Sequence, residues 1–83
     1  MAVADDVRDV LEGVLNLKGR SSGFTAQTPL LGHVPELDSM AVVSVITALE
    51  ERFGFVIDDD EIDGSTFATV GALTQFVESK LAA

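Results

Sequence analysis

The chain has 83 residues, of which 47% are hydrophobic and 23% charged, and its formal net charge is −9. This length allows one domain with a compact core, and the hydrophobic fraction excludes a disordered acidic tail. There is no cysteine, so disulfides and thiolate metal sites are excluded, and the negative charge disfavours nucleic acid and anionic lipid. No apolar run approaches the ~20 residues that span a bilayer, and the acidic start is unlike a secretory signal. We therefore expect a cytoplasmic monomer without membrane insertion.

The first helix is predicted over residues 3–17. Its apolar residues recur at helical spacing, at Val3, Val7, Val10, Leu11, Val14, Leu15 and Leu17. Gly19 and the Ser21-Ser22-Gly23 run end this helix. A long loop over residues 18–38 follows, and apolar side chains are expected to hold it against the core, namely Phe24, Leu30, Leu31, Val34 and Leu37.

The second helix is predicted over residues 39–53. Asp38 is placed to cap it by accepting the N–H of Met40 or Ala41, and Gly54 follows its last apolar residue. Its core stripe is predicted at Val42, Ile46, Leu49 and Phe53, with Val45 beside it.

The opposite face of this helix carries a different set of side chains. They are Met40, Val43, Ser44, Thr47 and Glu51, with Glu50 at the edge. Exposed apolar residues at a helix start predict a small docking patch, here with an acidic lower rim. The alternative is that the preceding loop covers them.

The last part of the chain is predicted to add one short acidic turn, Asp58 to Asp63 around Ile62, and a final helix over residues 70–81 with Thr69 as its N-cap. The inner face of that helix is predicted at Val70, Leu73, Val77 and Leu81. The expected fold is all-α, a small four-helix bundle of three main helices and one short helix in a single domain, 1–83.

Ser39 is the candidate functional residue. It follows Asp38 at the point where the loop gives way to the second helix. Its hydroxyl is expected to lie beside the free N–H groups and the positive dipole end of that helix. These features favour an attached or bound phosphate.

The stretch ELDSMAVVSVITALEERFGFVIDDDEIDGSTFATVGALTQFVESKL resembles the acyl carrier protein family. The Asp-Ser-Met triplet, the LEERFG helix end and the TFATVGAL entry to the last helix match in order and spacing. The resemblance is clearest over residues 28–81. Peptidyl carriers usually place two glycines shortly before the serine, whereas Pro35-Glu36-Leu37-Asp38 stands here, which favours an acyl carrier.

The resemblance implies a carrier rather than an enzyme. Ser39 would receive 4′-phosphopantetheine from coenzyme A through a separate phosphopantetheinyl transferase, which would recognise Asp38. The thiol of the arm would hold acyl groups as thioesters. An apolar space between the second and last helices is expected to shield part of an acyl chain, lined by Val45, Ile46, Leu49, Ile62 and Val70.

The chain departs from the family pattern close to the serine. Acidic residues often found two and five positions after it are replaced by Ala41 and Ser44, and Arg52 stands beside the acidic pair Glu50 and Glu51. We therefore expect a specialised fatty-acid, polyketide or other acyl-transfer role. The expected partners are the transferase and an acyl-loading ligase, synthase or acyltransferase with a basic docking surface. Acidic side chains of this chain are expected to attract that surface, and salt is expected to weaken the attraction.

Two other classes stay open, namely a structural or regulatory subunit of the same fold that does not need the thiol, and a small acid-rich ion-binding module. A metal site is not predicted, because an EF-hand loop begun at Asp59 would place Val70 where a bidentate carboxylate is required. His33 is the sole histidine and lies near Asp38 and Ser39 in the sequence. A hydrolytic triad is not predicted, because Ser39 is not in a Gly-x-Ser-x-Gly motif and no third group is placed to orient the imidazole.

Overall fold

A computed structural model describes residues 3–82, except for the side chain of Asp59. It contains three α-helices: α1, Val3–Leu15, α2, Ser39–Phe53, and α3, Val70–Ala82. The described residues form no strand, only an isolated bridge between Pro29 and Thr69. The predicted all-α fold is confirmed.

Short 3₁₀ turns join the helices. They span Arg20–Gly23, Asp59–Glu61 and Gly64–Phe67. The fourth, short helix of the prediction is therefore a 3₁₀ turn, and a second such turn follows it. Asp63 stabilises that second turn, because its side chain accepts the N–H groups of Ser65 and Thr66.

The first helix ends at Leu15 rather than at Leu17. Asn16 adopts a left-handed conformation with φ 54°, so the helix does not continue through it. Leu17 is nevertheless fully buried, and its N–H donates to the Glu12 carbonyl of α1. The periodic pattern thus identified a core residue correctly but extended the helix too far.

The core forms where α1 packs against α2 and α3, and it also includes buried residues of the loops. Its most deeply buried side chains are Val7, Leu11, Leu17, Leu30, Val45, Leu49, Phe67, Val70, Leu73 and Val77. Two predicted core residues are wrong, because Leu31 and Leu81 are 43% and 44% exposed. Leu31 lies in the turn after Leu30, and Leu81 lies in the last turn of α3.

The long loop is fastened to the start of α3 by its backbone. The N–H of Gly71 donates to the Ala26 carbonyl at 2.8 Å, and that of Val70 donates to the Thr28 carbonyl at 3.0 Å. These bonds satisfy donors that a helix start leaves free, and Thr69 adds the predicted cap by accepting the N–H of Ala72. The loop is thereby held against the start of α3 at residues 26–28.

None of the helices in residues 3–82 has both the length and the apolar character that a membrane crossing requires.

Candidate functional site

The site is the start of α2, and its local geometry follows from two residues at the helix ends. Asp38 is extended, and its Oδ1 accepts the N–H of Ala41 at 2.8 Å. Gly54 adopts a left-handed conformation with φ 75° and donates to the Glu50 carbonyl at the other end. The predicted bounds and both caps of α2 are confirmed.

Ser39 is the first residue of α2, and it is exposed. A modifying protein therefore has access to it, and the first turn of the helix presents its backbone donors at that point. His33 is also exposed, and no hydrogen bond among the described residues joins it to Ser39. Nothing in this part of the structure gives the serine a base of its own.

The outer face of α2 is open to solvent. Met40 is 77% exposed and Val43 is 61% exposed, so the alternative that the loop covers them is wrong. Three further residues of the predicted docking face are exposed as well, namely Ser44, Thr47 and Glu51. Their exposure fits a contact surface, and their role in docking stays a prediction.

Two charged residues near this face are engaged within the chain. The Glu50 carboxylate accepts the N–H of Ile57 at 2.7 Å and is only partly exposed. Arg52 forms an ion pair with Asp6 of α1 at 2.7 Å, and its distance to Asp9 is 3.6 Å. The sequence carried no signal for either contact, because each joins residues that no periodic pattern relates.

Acidic side chains in the segment after α2 also form hydrogen bonds and an ion pair within the chain. Glu61 pairs with Lys80 of α3 at 2.8 Å, and this bond, followed by one from the Asp58 N–H, lowers the pKa of Glu61. The pKa of Asp63 is lowered first by the Ser65 hydroxyl and then by the backbone N–H groups that it caps. Among the described side chains, which do not include that of Asp59, no group of three or more acidic, histidine or cysteine residues is arranged to hold a metal ion.

The residues expected to line an acyl-chain space lie in or against the closed core. Val45, Leu49 and Val70 are at most 1% exposed, and Ile46 and Ile62 are partly buried against the core. A cavity of about 510 Å³ lies elsewhere, between α1, the loop at residues 24–26 and the first half of α3. Only one of the five predicted residues, Val70, lines it. The acyl-chain lining stays a prediction.

Residues 5–77 match the model of the phosphopantetheine attachment site family. The chain is 32% identical over 81 residues to an acyl carrier protein of Wolinella succinogenes, covering 95% of this chain and 97% of that protein. The chain belongs to the acyl carrier protein family. An acyl carrier protein of a Sulfurovum species is 36% identical over 83 residues, with 95% and 99% of the two chains covered.

A solved structure extends the similarity to the whole fold. The solution NMR structure of a holo acyl carrier protein from Nitrosomonas europaea is 57% identical, covers both chains completely and superposes with a TM-score of 0.93. The predicted acyl carrier family and its bundle fold are therefore confirmed. The family match also confirms phosphopantetheine as the cofactor and a carrier rather than an enzyme.

Proposed function

We propose that the chain carries acyl groups as thioesters on a 4′-phosphopantetheine arm attached to Ser39. One observation supports this most directly: Ser39 is exposed at the first position of a capped helix, within a domain of the phosphopantetheine attachment family. The phosphate of the arm would lie at the positive end of α2, where backbone N–H groups favour an anion. Residues 1–83 would act as one carrier domain.

In the attachment reaction the chain would supply the hydroxyl and its surroundings, and the transferase would supply the catalytic groups. The Ser39 oxygen would form a bond to the pantetheine-bearing phosphorus of coenzyme A while the phosphoanhydride bond breaks and adenosine 3′,5′-bisphosphate leaves, and the proton of the hydroxyl would pass to the transferase. Asp38 would keep its cap to Ala41 throughout, so the first turn of α2 need not rearrange when the arm is attached. The arm, once bound, supplies the thiol that holds the acyl group.

The partners would be a phosphopantetheinyl transferase and an acyl-loading ligase, synthase or acyltransferase, acting in the cytoplasm on a monomeric carrier. A specialised pathway is favoured by Ala41 and Ser44, which stand where acidic residues often occur in the family. Fatty acyl, polyketide and aminoacyl cargoes all fit this site. We expect the genes beside that of the chain to identify the loading enzyme.

Intact-mass measurement tests the attachment directly. The chain is incubated with coenzyme A and a broad-specificity phosphopantetheinyl transferase, and we expect a gain of one phosphopantetheine unit. Ser39→Ala is expected to remove the gain, and Ser79→Ala, which replaces an exposed serine of α3 away from the predicted docking face, is expected to keep it. Failure with several transferases would favour a structural subunit instead, and a gain that persists in Ser39→Ala would place the arm on another residue.

A further inference from the structure

Two contacts show that Ser39 lies at the end of the bundle where α1 finishes. Arg52, in the last turn of α2, pairs with Asp6, in the first turn of α1, at 2.7 Å, so these two packed helices run in opposite directions. At the other end, Arg20 pairs with Glu36, which joins the turn that follows α1 to the segment that precedes α2. Arg20 therefore lies at the same end of the molecule as the attachment serine.

The Arg20 side chain is held at two points. Its Nε–H donates to the Leu17 carbonyl at 3.1 Å, and a terminal N–H group donates to the Glu36 carboxylate. The backbone that carries it is fixed as well, because Glu12 of α1 accepts the Ser21 hydroxyl at 2.7 Å. A guanidinium group has five N–H donors, and the contacts within the described residues use only two of them. Donors therefore remain for a second anion.

Glu36, the partner of Arg20, stands close to Ser39 along the chain. It precedes the serine by three residues, a stretch that spans at most about 11 Å. Leu37 lies between them and is buried, and its N–H donates to the Val34 carbonyl at 3.0 Å, so this segment is anchored to the core just before α2 begins. The Arg20 side chain is 52% exposed, so its remaining donors are open to an anion attached at the serine.

The arm adds a negative charge to a segment that is already acidic. With a phosphodiester on Ser39, three anionic groups would lie within four residues, the others being the carboxylates of Glu36 and Asp38. Asp38 keeps its charge while it caps α2, so its carboxylate repels the phosphate. Arg20 is the one basic side chain among the described residues that forms an ion pair with this segment. Its charge beside the phosphate offsets the repulsion.

Backbone and guanidinium donors at this end together fit a phosphodiester. The N–H groups of Ser39 and Met40 have no acceptor within residues 3–82, as the start of a helix leaves them. A guanidinium group binds phosphate through two parallel N–H···O bonds, and such charge-assisted bonds are roughly twice as strong as neutral ones. Lys18 is the other basic residue near this end, but it forms no ion pair within the described part of the chain, and an ammonium group lacks the planar fork.

We propose that Arg20 donates to the phosphodiester of the arm on Ser39 while it keeps its contact with Glu36. The inference rests on the proposed attachment at Ser39 and assigns a residue of this chain to the root of the arm. Arg20 is a positioning residue, because it touches the phosphate and none of the reacting atoms. It restrains the phosphate at the start of α2, and the part of the arm beyond the phosphate stays free to reach a partner.

NMR of the loaded chain tests this contact without an activity assay. The full chain is loaded with coenzyme A and a phosphopantetheinyl transferase, intact mass confirms the attachment, and phosphorus and arginine Nε–H spectra are recorded. We expect the Nε–H signal of Arg20 to shift on loading, and the phosphorus signal to differ between the wild type and Arg20→Gln. Raising NaCl from about 0.1 to 1 M should move the wild-type phosphorus signal toward that of Arg20→Gln, because the screening length falls from about 10 to about 3 Å.

Matched variants separate the contact from a general effect of charge. Lys18→Gln removes the same charge close to Arg20 in the sequence, and His33→Gln replaces the sole histidine, which lies near the serine in the sequence. Both are expected to keep the wild-type phosphorus signal. Arg20→Lys keeps the charge without the planar fork and is expected to give a signal between those of the wild type and Arg20→Gln. Circular dichroism checks that each variant keeps its helices.

The outcomes distinguish this contact from the attachment itself. If the mass rises but the phosphorus signal is the same in the wild type and in Arg20→Gln, attachment stands and the inference alone is wrong. Equal shifts in Lys18→Gln and Arg20→Gln would also overturn it, because they would show a general effect of charge. If several transferases add nothing to the wild-type chain, the attachment at Ser39 fails, and the inference fails with it.

Discussion

Gly71 shows how closely the long loop approaches the start of α3. A Cβ at this position would lie 2.7 Å from the Ala26 carbonyl oxygen and 3.1 Å from the Ala26 Cβ, too close for a real contact. The same carbonyl accepts the Gly71 N–H at 2.8 Å, so the loop cannot retreat without losing that bond. We expect Gly71→Ala to lower the free energy of unfolding by about 1–3 kcal/mol, measured by urea denaturation.

Gly13 provides the control for this prediction. It lies within α1, and no atom other than its chain neighbours and the nearby backbone of α1 comes within 4 Å of the position of its Cβ. Gly13→Ala is therefore expected to stabilise the chain by about 0.5–1 kcal/mol, because alanine is the better helix residue. If Gly71→Ala were as stable as the wild type, the loop would be free to move away from α3.

Asp38 combines a structural role with a proposed recognition role, and two variants separate them. Asp38→Ala removes the acceptor of the Ala41 N–H and is expected to cost about 1 kcal/mol of stability in urea denaturation. Asp38→Asn keeps an acceptor oxygen at the cap but loses the charge, so we expect wild-type stability with slower loading of Ser39. Loading of Asp38→Asn at the wild-type rate would remove the recognition role.

At the scale of elements, Glu12 joins α1 to the turn that follows it. Its carboxylate accepts the Gly19 N–H at 2.8 Å and the Ser21 hydroxyl at 2.7 Å. These bonds, the one from Gly19 first, hold the pKa of Glu12 below its ordinary value of 4.5. The unfolded chain lacks them, so it takes up a proton at higher pH than the folded chain does.

The contribution of Glu12 to stability is therefore complete above about pH 4.5 and is lost as the pH falls through the lower pKa of the folded state. We expect Glu12→Gln to lower the urea midpoint at pH 7 and to reduce the loss of stability on acidification. Glu51→Gln is the control, because Glu51 is exposed and accepts no side-chain hydrogen bond from the described residues. An unchanged pH dependence in Glu12→Gln would contradict this role.

Elements whose signals are local were predictable from the sequence, and elements that depend on distant backbone contacts were not. α2 was bounded correctly because Asp38 and Gly54 mark its two ends in the sequence itself. The Arg20–Gly23 turn was missed because it is stabilised from outside, in part by Glu12. The exposure of Val43 followed from helical spacing and that of Ser39 from its place at the start of α2, whereas no sequence pattern reveals the bond between Glu50 and a backbone N–H.

At the scale of the whole molecule, the net charge of −9 and the placement of the basic residues act together. Four of the five basic side chains already pair with carboxylates: Arg8 with Asp5, Arg20 with Glu36, Arg52 with Asp6, and Lys80 with Glu61. These pairs are partly or largely exposed, and such pairs contribute about 0–1 kcal/mol each. The remaining acidic side chains repel one another in the compact state, and this repulsion destabilises it.

Salt therefore has two opposing effects on the stability of the fold, and the excess of acidic over basic residues decides which effect is larger. Screening weakens a few exposed ion pairs, but it also weakens repulsion among 14 acidic residues, which outnumber the basic ones by almost three to one. We expect the urea midpoint to rise as NaCl increases from about 0.02 to 0.3 M. MgCl₂ at equal ionic strength is expected to give a similar rise, because screening depends on ionic strength. A midpoint that falls with NaCl would show that the ion pairs dominate, and a much larger rise with MgCl₂ would support the ion-binding hypothesis instead.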